Sequence, residues 1–461
     1  MLKKVIGVVF FLLVFVNVGL IIHYLLSPSV GEDSSFYLSI GRELFSGKVY
    51  FRDIGVSYNP LSILFFSCPY LFGDDIQYSW HLMVNMVIIL SSSFVFYKIL
   101  GSFSKEKLFN LFYSSLFLLL TLVLDGRYLL LEPLSVFFQL LAIYYYFLFL
   151  SKDRVVYLFC VGAFVALAFL SKQYGLFVLL PIGIDVLLRS KKIIKQITLL
   201  GLGVATPIVL FFVYLSLNGM SGSEIVMSLL GRNVVFNNGN GTGVGTSFFS
   251  YPMDVIYVLL FNVYVVLLPF LVFTHFKVLD SKKIFLTVLA GTSFSVLYFA
   301  NYWHYYQYII PFTLLLLIYI VQSVKQTKYN YLIVHSSLVL SVFFLVAYSV
   351  LSVVGSRTSL QDQQKAAKSI NTIIPSASAV YLDGLSPVYY YLCGFTSIDL
   401  KDIGFSFSGY FAPKTILDHL DYGEYLVVNN DRLLMYEDQL IDYSITKITV
   451  KTSEYFLITK K

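Results

Sequence analysis

Acidic and basic side chains are sparse in this chain, and their grouping is its first clue to chemistry. Residues 31–60, GEDSSFYLSIGRELFSGKVYFRDIGVSYNP, gather Glu32, Asp33, Arg42, Glu43, Arg52 and Asp53 into one polar interval. Further along, ionisable groups recur at the ends of apolar runs: Asp125, Arg127 and Glu132 in DGRYLLLEP, Lys172 in SKQYG, and His304 in NYWHYYQYIIP. A carboxylate within hydrogen-bond reach of a hydroxyl can take its proton. Fixed cations can hold an anion as it gains charge. Each residue also has a structural reading. Asp33 suits the N-cap of an amphipathic helix lined by Phe36, Ile40 and Leu44, Asp53 suits a turn or a pair with Arg52, and Arg127 suits an ion pair with Glu132. Lys172 suits snorkelling to the membrane interface, and His304 suits an aromatic interface belt with Tyr302, Trp303, Tyr305 and Tyr306.

The elements that must position these groups are membrane helices. With 58% hydrophobic and 13% charged residues and a mean hydropathy of +0.78, the chain departs from soluble domains, in which about 25% of residues are charged. The net charge of +6 lies in short Lys/Arg clusters between apolar runs, as topology signals do, so a nucleic-acid partner is not expected. Cys68, Cys160 and Cys393 have unrelated spacings and suggest neither a disulfide framework nor a zinc site.

An apolar run from Val5 to about Leu26 follows Lys3 and Lys4 without a small-residue cleavage pattern, and predicts an uncleaved first transmembrane helix. Residues 61–72 are too short to span comfortably. Further spans are expected near residues 77–99, 108–124, 128–150, 155–171, 173–189, 196–217, 254–276, 284–299, 305–324 and 330–353, about eleven in all. Alternate connections carry 16 and 6 Lys/Arg residues, which predicts a cytoplasmic N-terminus. An odd helix number then places the loop 28–76, the loop 218–253 and the C-terminal tail on the outer face. Asp33, Asp53, Arg127, Lys172 and His304 share that face. The bilayer midplane holds almost no ionisable side chain, unlike an ion-coupled transporter.

The expected organisation is a membrane domain over residues 1–355 and a small extracytoplasmic α/β domain over 356–461. In the latter, residues 361–374, 387–392, 413–420 and 432–443 read as helices. Residues 379–382, 425–428, 445–450 and 454–459 read as strands. The glycines in GRNVVFNNGNGTGVGTSF do not make a nucleotide-binding fingerprint, and a lid or a plain mobile loop both fit.

The run Asp33, Tyr37, Ile40, Arg42-Glu43-Leu44, followed by Gly47, Tyr50, Arg52-Asp53 and Asn59-Pro60-Leu61, resembles the first extracytoplasmic loop of the family 39 type of membrane glycosyltransferases. These include protein O-mannosyltransferases and the bacterial aminoarabinose transferase that modifies lipid A. RYLLLEPLSVFF is similar to that family's R-x-x-L-L-D/E segment, SKQYG to its lysine-bearing helix start, and HYYQYIIPF to its late HY…P segment. Where the family often has adjacent Asp-Glu, this chain has Asp33-Ser34 preceded by Glu32. Where it often has His-Pro-Pro or Pro-Pro, this chain has Tyr58-Asn59-Pro60.

The resemblance implies a GT-C fold in a polytopic α-helical membrane protein of the bacterial cell membrane. It also implies a polyprenyl-phosphate-linked sugar as donor and a lipid, glycan or protein acceptor. Asp33 would then be the general base. Lys172, Arg127, His304 and Arg232 would meet the lipid phosphate, and Glu132, Arg42 and Tyr37 would orient the site. Asp53 would position the acceptor or, with Asp33, hold a divalent cation. One-step displacement predicts inversion at the sugar. A flippase or transporter of lipid-linked glycans, and a polymerase of their repeats, are the alternative functions.

Overall fold

The structure is a computed structural model that describes residues 2–54, 58–73, 76–124, 126–189, 192–231, 281–296, 303–323, 343, 347, 360–376, 378–383, 386, 388–397, 417, 420–436, 439–450 and 453–461. Its first helix, α1 (Leu2–Leu26), has 25 residues and a length of about 37 Å, enough for a hydrocarbon core of about 30 Å. Phe11, Phe15, Val18 and Leu26 are exposed along it. In water such a face would be costly. In lipid it is the surface expected of a helix at the edge of a bundle.

The chain then enters α2 (Glu32–Phe45). Its N-cap is Gly31, with no side-chain capping bond, so Asp33 lies inside the first turn and is not the cap. The expected cap role fails because the helix starts two residues earlier than that reading required. Gly47 follows the helix at φ +101°, a conformation that suits glycine after a helix end. Next come α3 (Pro60–Ser67) and a 3₁₀ turn over Cys68–Phe72. Gly41 of α2 presses so closely on Ser67 of α3 that a Cβ there would lie 2.3 Å from the Ser67 Cβ.

Helices α4 (Tyr78–Leu100), α5 (Lys107–Val123), α6 (Glu132–Lys152) and α7 (Val156–Ser171) build the main core. A 3₁₀ turn over Gln173–Val178 and the 11-residue α8 (Leu179–Arg189) occupy the region expected as one span over 173–189. The break lets Gly175 approach the Ala168 carbonyl carbon, which a Cβ would meet at 2.2 Å. Helix α9 (Ile193–Leu217) crosses α7 at two glycines. A Cβ on Gly162 would lie 2.1 Å from the Leu200 oxygen, and one on Gly203 2.2 Å from the Phe159 oxygen. Small residues at such crossings let membrane helices pack backbone to backbone. The short α10 (Gly222–Val226) is closed by a capping box of Ser221 and Glu224.

Helices α11 (Ser281–Phe294) and α12 (Tyr306–Ser323) coincide with two more expected spans. Among the described residues, four helices are long and apolar enough to cross a membrane, and four shorter apolar ones accompany them. The expected spans 254–276 and 330–353 lie outside the described residues except for residues 343 and 347.

The C-terminal region holds α13 (Leu360–Asn371), β1 (Ala379–Asp383), α14 (Val388–Cys393), β2 (Thr396–Ser397), β3 (Tyr425–Asn429), α15 (Asn430–Tyr436), β4 (Tyr443–Val450) and β5 (Ser453–Lys460). The sheet order is β2-β1-β3-β5-β4, parallel from β2 through β3 and antiparallel from β3 onward. Val380, Leu382 and Val427 face one apolar cluster, and Tyr381, Leu426 and Val428 face another. That alternation is what a strand covered on both faces requires. The helix expected over 432–443 is shorter and earlier, because Tyr443 already opens β4, and 413–420 is mostly outside the described residues.

Candidate active site

Each charge at the centre of the site stands at a helix end that favours it. Glu132 opens α6 with Pro133 behind it, so its carboxylate sits where backbone N–H groups are unpaired and the helix dipole is positive. Lys172 follows the last residue of α7, at the negative end, with an extended backbone (φ −159°, ψ 140°) that turns the chain away. The Asn59 amide donates to the Phe169 carbonyl near the same helix end, and Ser62 Oγ donates to the Leu131 carbonyl at 3.0 Å. Asn59 and Ser62, on either side of Pro60-Leu61, therefore tie the polar loop to both helix ends. Pro60 is at the first helical position of α3, where its missing N–H costs nothing.

Lys172 Nζ lies 3.1 Å from Glu132 Oε1, with side chains 7% and 1% exposed. His304 Nε2 lies 3.8 Å from the same oxygen. It reaches there from a 3₁₀ turn over Trp303–Tyr305 that leads into α12. The Lys172 ammonium also stands over the rings of Tyr305 at 5.1 Å and Tyr58 at 5.8 Å, which adds cation–π attraction. Glu132 thus pairs with Lys172, and the expected Arg127–Glu132 pair does not form. Arg127 instead stacks on Tyr128 at 4.7 Å, and Lys172 takes the Glu132 carboxylate at 3.1 Å.

Beside this cluster is a cavity of about 470 Å³ lined by residues from four parts of the chain. Glu32 and Asp33 come from α2, Tyr128 and Leu130 from the turn before α6, His304 from the turn before α12, and Gln363, Ser386 and Val388 from the C-terminal region. Among the described residues, the Asp33 carboxylate has no hydrogen-bond or ion-pair partner. Burial pushes it above the ordinary carboxylate range, against the pull of His304 and Lys172. A carboxylate with free lone pairs and raised affinity for a proton is suited to accept one.

The remaining expected site residues are placed differently. Asp53 does not line the cavity: its Oδ2 accepts from Val49 N at 2.7 Å, and Arg52 grips both of its oxygens at 2.9 and 2.8 Å. Arg52 Nη1 also donates to the Asn218 carbonyl at 2.8 Å, so the pair fastens the loop beside α9. Tyr37 is buried behind Asp33 with its ring 5.5 Å from that of Tyr58. Arg42 donates to the Tyr391 carbonyl at 3.1 Å and lies between the rings of Tyr70 and Tyr391. Asp125 and Arg232 lie outside the described residues, as does most of the loop 218–253. Among the described residues, no group of three or more His, Cys, Asp or Glu is placed to hold a metal ion.

Sequence reasoning missed the C-terminal contribution. Gln363 and Ser386 are more than three hundred residues from Asp33 and carry no local motif. Tyr305 and Tyr58 had a signal, since each adjoins a residue already singled out, His304 or Asn59.

No protein-family profile matches this sequence, and no curated protein is similar to it. Solved structures are. ArnT from Cupriavidus metallidurans bound to undecaprenyl phosphate is similar at a TM-score of 0.65 and 12% identity, over 97% of this chain and 97% of that one. The apo state gives the same score over 99% and 98%. The Archaeoglobus fulgidus oligosaccharyltransferase tethered to an acceptor peptide is similar at 0.56 and 11% identity, over 97% of this chain and 74% of that one. This likeness establishes the fold: the chain is a polytopic helical membrane protein of the GT-C type.

Proposed function

We propose that this chain is an inverting glycosyltransferase that moves a sugar from a polyprenyl-phosphate carrier to a hydroxyl of a lipid, glycan or protein. We place the reaction at the outer face of a bacterial cell membrane, with the N-terminus cytoplasmic and the C-terminal sheet outside. The observation that carries this reading is the unpartnered Asp33 carboxylate in the wall of a cavity that it shares with His304. The buried Lys172–Glu132 pair stands behind it. Support for the carrier class comes from the structures of like fold, ArnT bound to undecaprenyl phosphate and the archaeal oligosaccharyltransferase AglB from Archaeoglobus fulgidus in complex with an inhibitory peptide and a dolichol-phosphate, similar at a TM-score of 0.55 and 12% identity.

Asp33 takes the proton of the acceptor hydroxyl as its oxygen bonds to the anomeric carbon. The bond from that carbon to the phosphate oxygen breaks, and the polyprenyl phosphate leaves with the electron pair. Attack and departure on opposite faces invert the centre. His304 in the cavity wall and Lys172 behind it stabilise the departing charge, with Arg127 beside Tyr128 and Arg232 as further cations. Lys172 meets a phosphate by sharing its ammonium with Glu132, which orients it. Tyr37 and Arg42 hold α2 in place, and Asp53 fixes the loop through Arg52.

Asp33→Asn tests the assignment. Turnover of a polyprenyl-phosphate sugar by the purified, folded protein is expected to fall about 10²- to 10⁴-fold, the usual contribution of a positioned acid or base. Wild-type turnover in Asp33→Asn removes Asp33 as the base.

A further inference from the structure

The helix that carries Asp33 does not fix its own start. Gly31 caps it without a side chain, and the residues around Asp33 are held by bonds from elsewhere. On the membrane side, Ser34 Oγ accepts from Leu129 N at 2.9 Å. Ser34 Oγ also donates to Leu129 O at 3.4 Å, and a further set of bonds comes from the C-terminal region. The buried Gln363 of α13 grips the Val30 peptide from both directions: its Oε1 accepts from Val30 N at 3.1 Å and its Nε2 donates to Val30 O at 3.0 Å. Ser386 Oγ donates to Glu32 Oε1 at 3.0 Å. Ser35 Oγ donates to Val388 O at 3.0 Å and accepts from Tyr391 N at 3.1 Å, which binds it to α14.

We propose that Gln363, Ser386 and the α14 backbone are positioning groups for Asp33, so that docking of the C-terminal region sets the reach of the base. The inference rests on the role assigned to Asp33 above. The physical reason is the stringency of placement: an error of about 1 Å in a reacting group costs on the order of 10²-fold in rate. A helix start without a side-chain cap has little of its own to resist such drift. Residues 30, 32 and 35 are tied to the C-terminal region on both sides of Asp33, and Ser34 is tied to the turn before α6. Among the described residues the Asp33 side chain is left without a bond, and its carboxylate stays open to the cavity. An appended domain that merely recognised a partner would need no bond pattern of this kind. A wall that also clamps Val30 and Ser35 does more than close the cavity.

The test uses the full-length protein in lipid nanodiscs with Gln363→Leu, Ser386→Ala and Ser35→Ala, and the exposed Ser369→Ala of α13 as control. Two readouts are taken: hydrogen–deuterium exchange of peptides covering residues 28–38, and kcat and KM for a polyprenyl-phosphate sugar. Gln363→Leu and Ser35→Ala leave buried polar groups unpaired and so lower the melting temperature somewhat, and they are expected to speed exchange in that segment more than in the rest of the protein. They are also expected to lower kcat about 10-fold or more, and for Ser35→Ala, whose residue does not line the cavity, donor KM stays within about two-fold. Ser386→Thr, which keeps the hydroxyl, is expected to recover what Ser386→Ala loses. If Ser35→Ala does not fold, Gln363→Leu and Ser386→Ala carry the test from the C-terminal side. Wild-type exchange and kcat in these variants overturn the inference, as does a loss confined to donor KM. If the wild-type protein transfers no sugar from such donors, the proposed reaction fails, and the exchange readout still decides whether the C-terminal region holds the Asp33 segment.

Discussion

Replacing Lys172 by Met removes the cation from a pair in which the ammonium is 3.1 Å from a Glu132 oxygen and both side chains are all but buried. At an effective dielectric constant of about 20, that separation corresponds to an attraction on the order of 5 kcal/mol. Breaking a buried pair by removing one partner costs about 3–5 kcal/mol, because the other charge is left without compensation. Lys172→Met should therefore lower the melting temperature of the purified protein sharply. Lys172→Met with Glu132→Gln should recover most of the loss, since no lone buried charge remains. Turnover gives a second signature. Asp33 must be ionised to take a proton, so activity rises with pH through its titration. Lys172 pulls that titration down, so removing Lys172 moves the acid limb to higher pH. A Lys172→Met protein with wild-type melting temperature and an unmoved acid limb would refute the electrostatic account.

Three further expectations follow from contacts in the structure. His304→Ala, which removes an imidazole from the cavity wall, should raise donor KM and lower kcat together, and steady-state kinetics that leave both untouched would take His304 out of the site. Asp53→Ala should lower stability by about 1–2 kcal/mol, the loss of a charge-assisted hydrogen bond, while turnover stays within a few-fold; a loss as deep as that of Asp33→Asn would return Asp53 to the chemistry. Gly162→Leu should prevent α7 and α9 from closing, since even a Cβ meets the Leu200 oxygen at 2.1 Å, and size-exclusion chromatography of the purified variant should show aggregation or no folded protein; normal yield and melting temperature count against the crossing.

The positions of most long helices were legible because apolar length is a one-dimensional signal: residues 77–99 and 196–217 anticipate Tyr78–Leu100 and Ile193–Leu217 closely. The strands at Ala379–Asp383 and Tyr425–Asn429 were legible for a related reason, since a strand buried on both faces is a short apolar run. The break within 173–189 was not, because it depends on how near Gly175 comes to α7, and proximity has no periodicity. At the site, charges stranded in an apolar chain drew attention to Asp33, Lys172, Glu132 and His304 without showing which pairs with which. Glu132 lies closer in sequence to Arg127 than to Lys172, yet it pairs with the more distant residue across two helix ends. Gln363 and Ser386 were illegible for the opposite reason: ordinary polar residues acquire meaning only from the Val30 peptide and the Glu32 carboxylate that they meet.

The arrangement of charge also bears on how one cavity could serve two unlike reactants. Glu32 and Asp33 enter its wall from α2, and His304 enters from the turn before α12 with Lys172 behind it. In the proposed reaction an anionic carrier phosphate is repelled by the first pair and drawn toward the second. A neutral hydroxyl in that reaction feels no such bias and finds an acceptor for its proton at Asp33, whose carboxylate no described residue bonds. The phosphate of the proposed reaction is thereby drawn toward His304 and the hydroxyl toward Asp33 before any bond changes, which lowers the orientational cost of the displacement. Glu132 then has a purpose beyond neutralising Lys172. A lone buried ammonium tends to lose its proton, whereas one held at 3.1 Å from a carboxylate keeps it, so the cation is still charged when the phosphate arrives. The pair costs the site part of its attraction for the phosphate and in return keeps that attraction fixed in place.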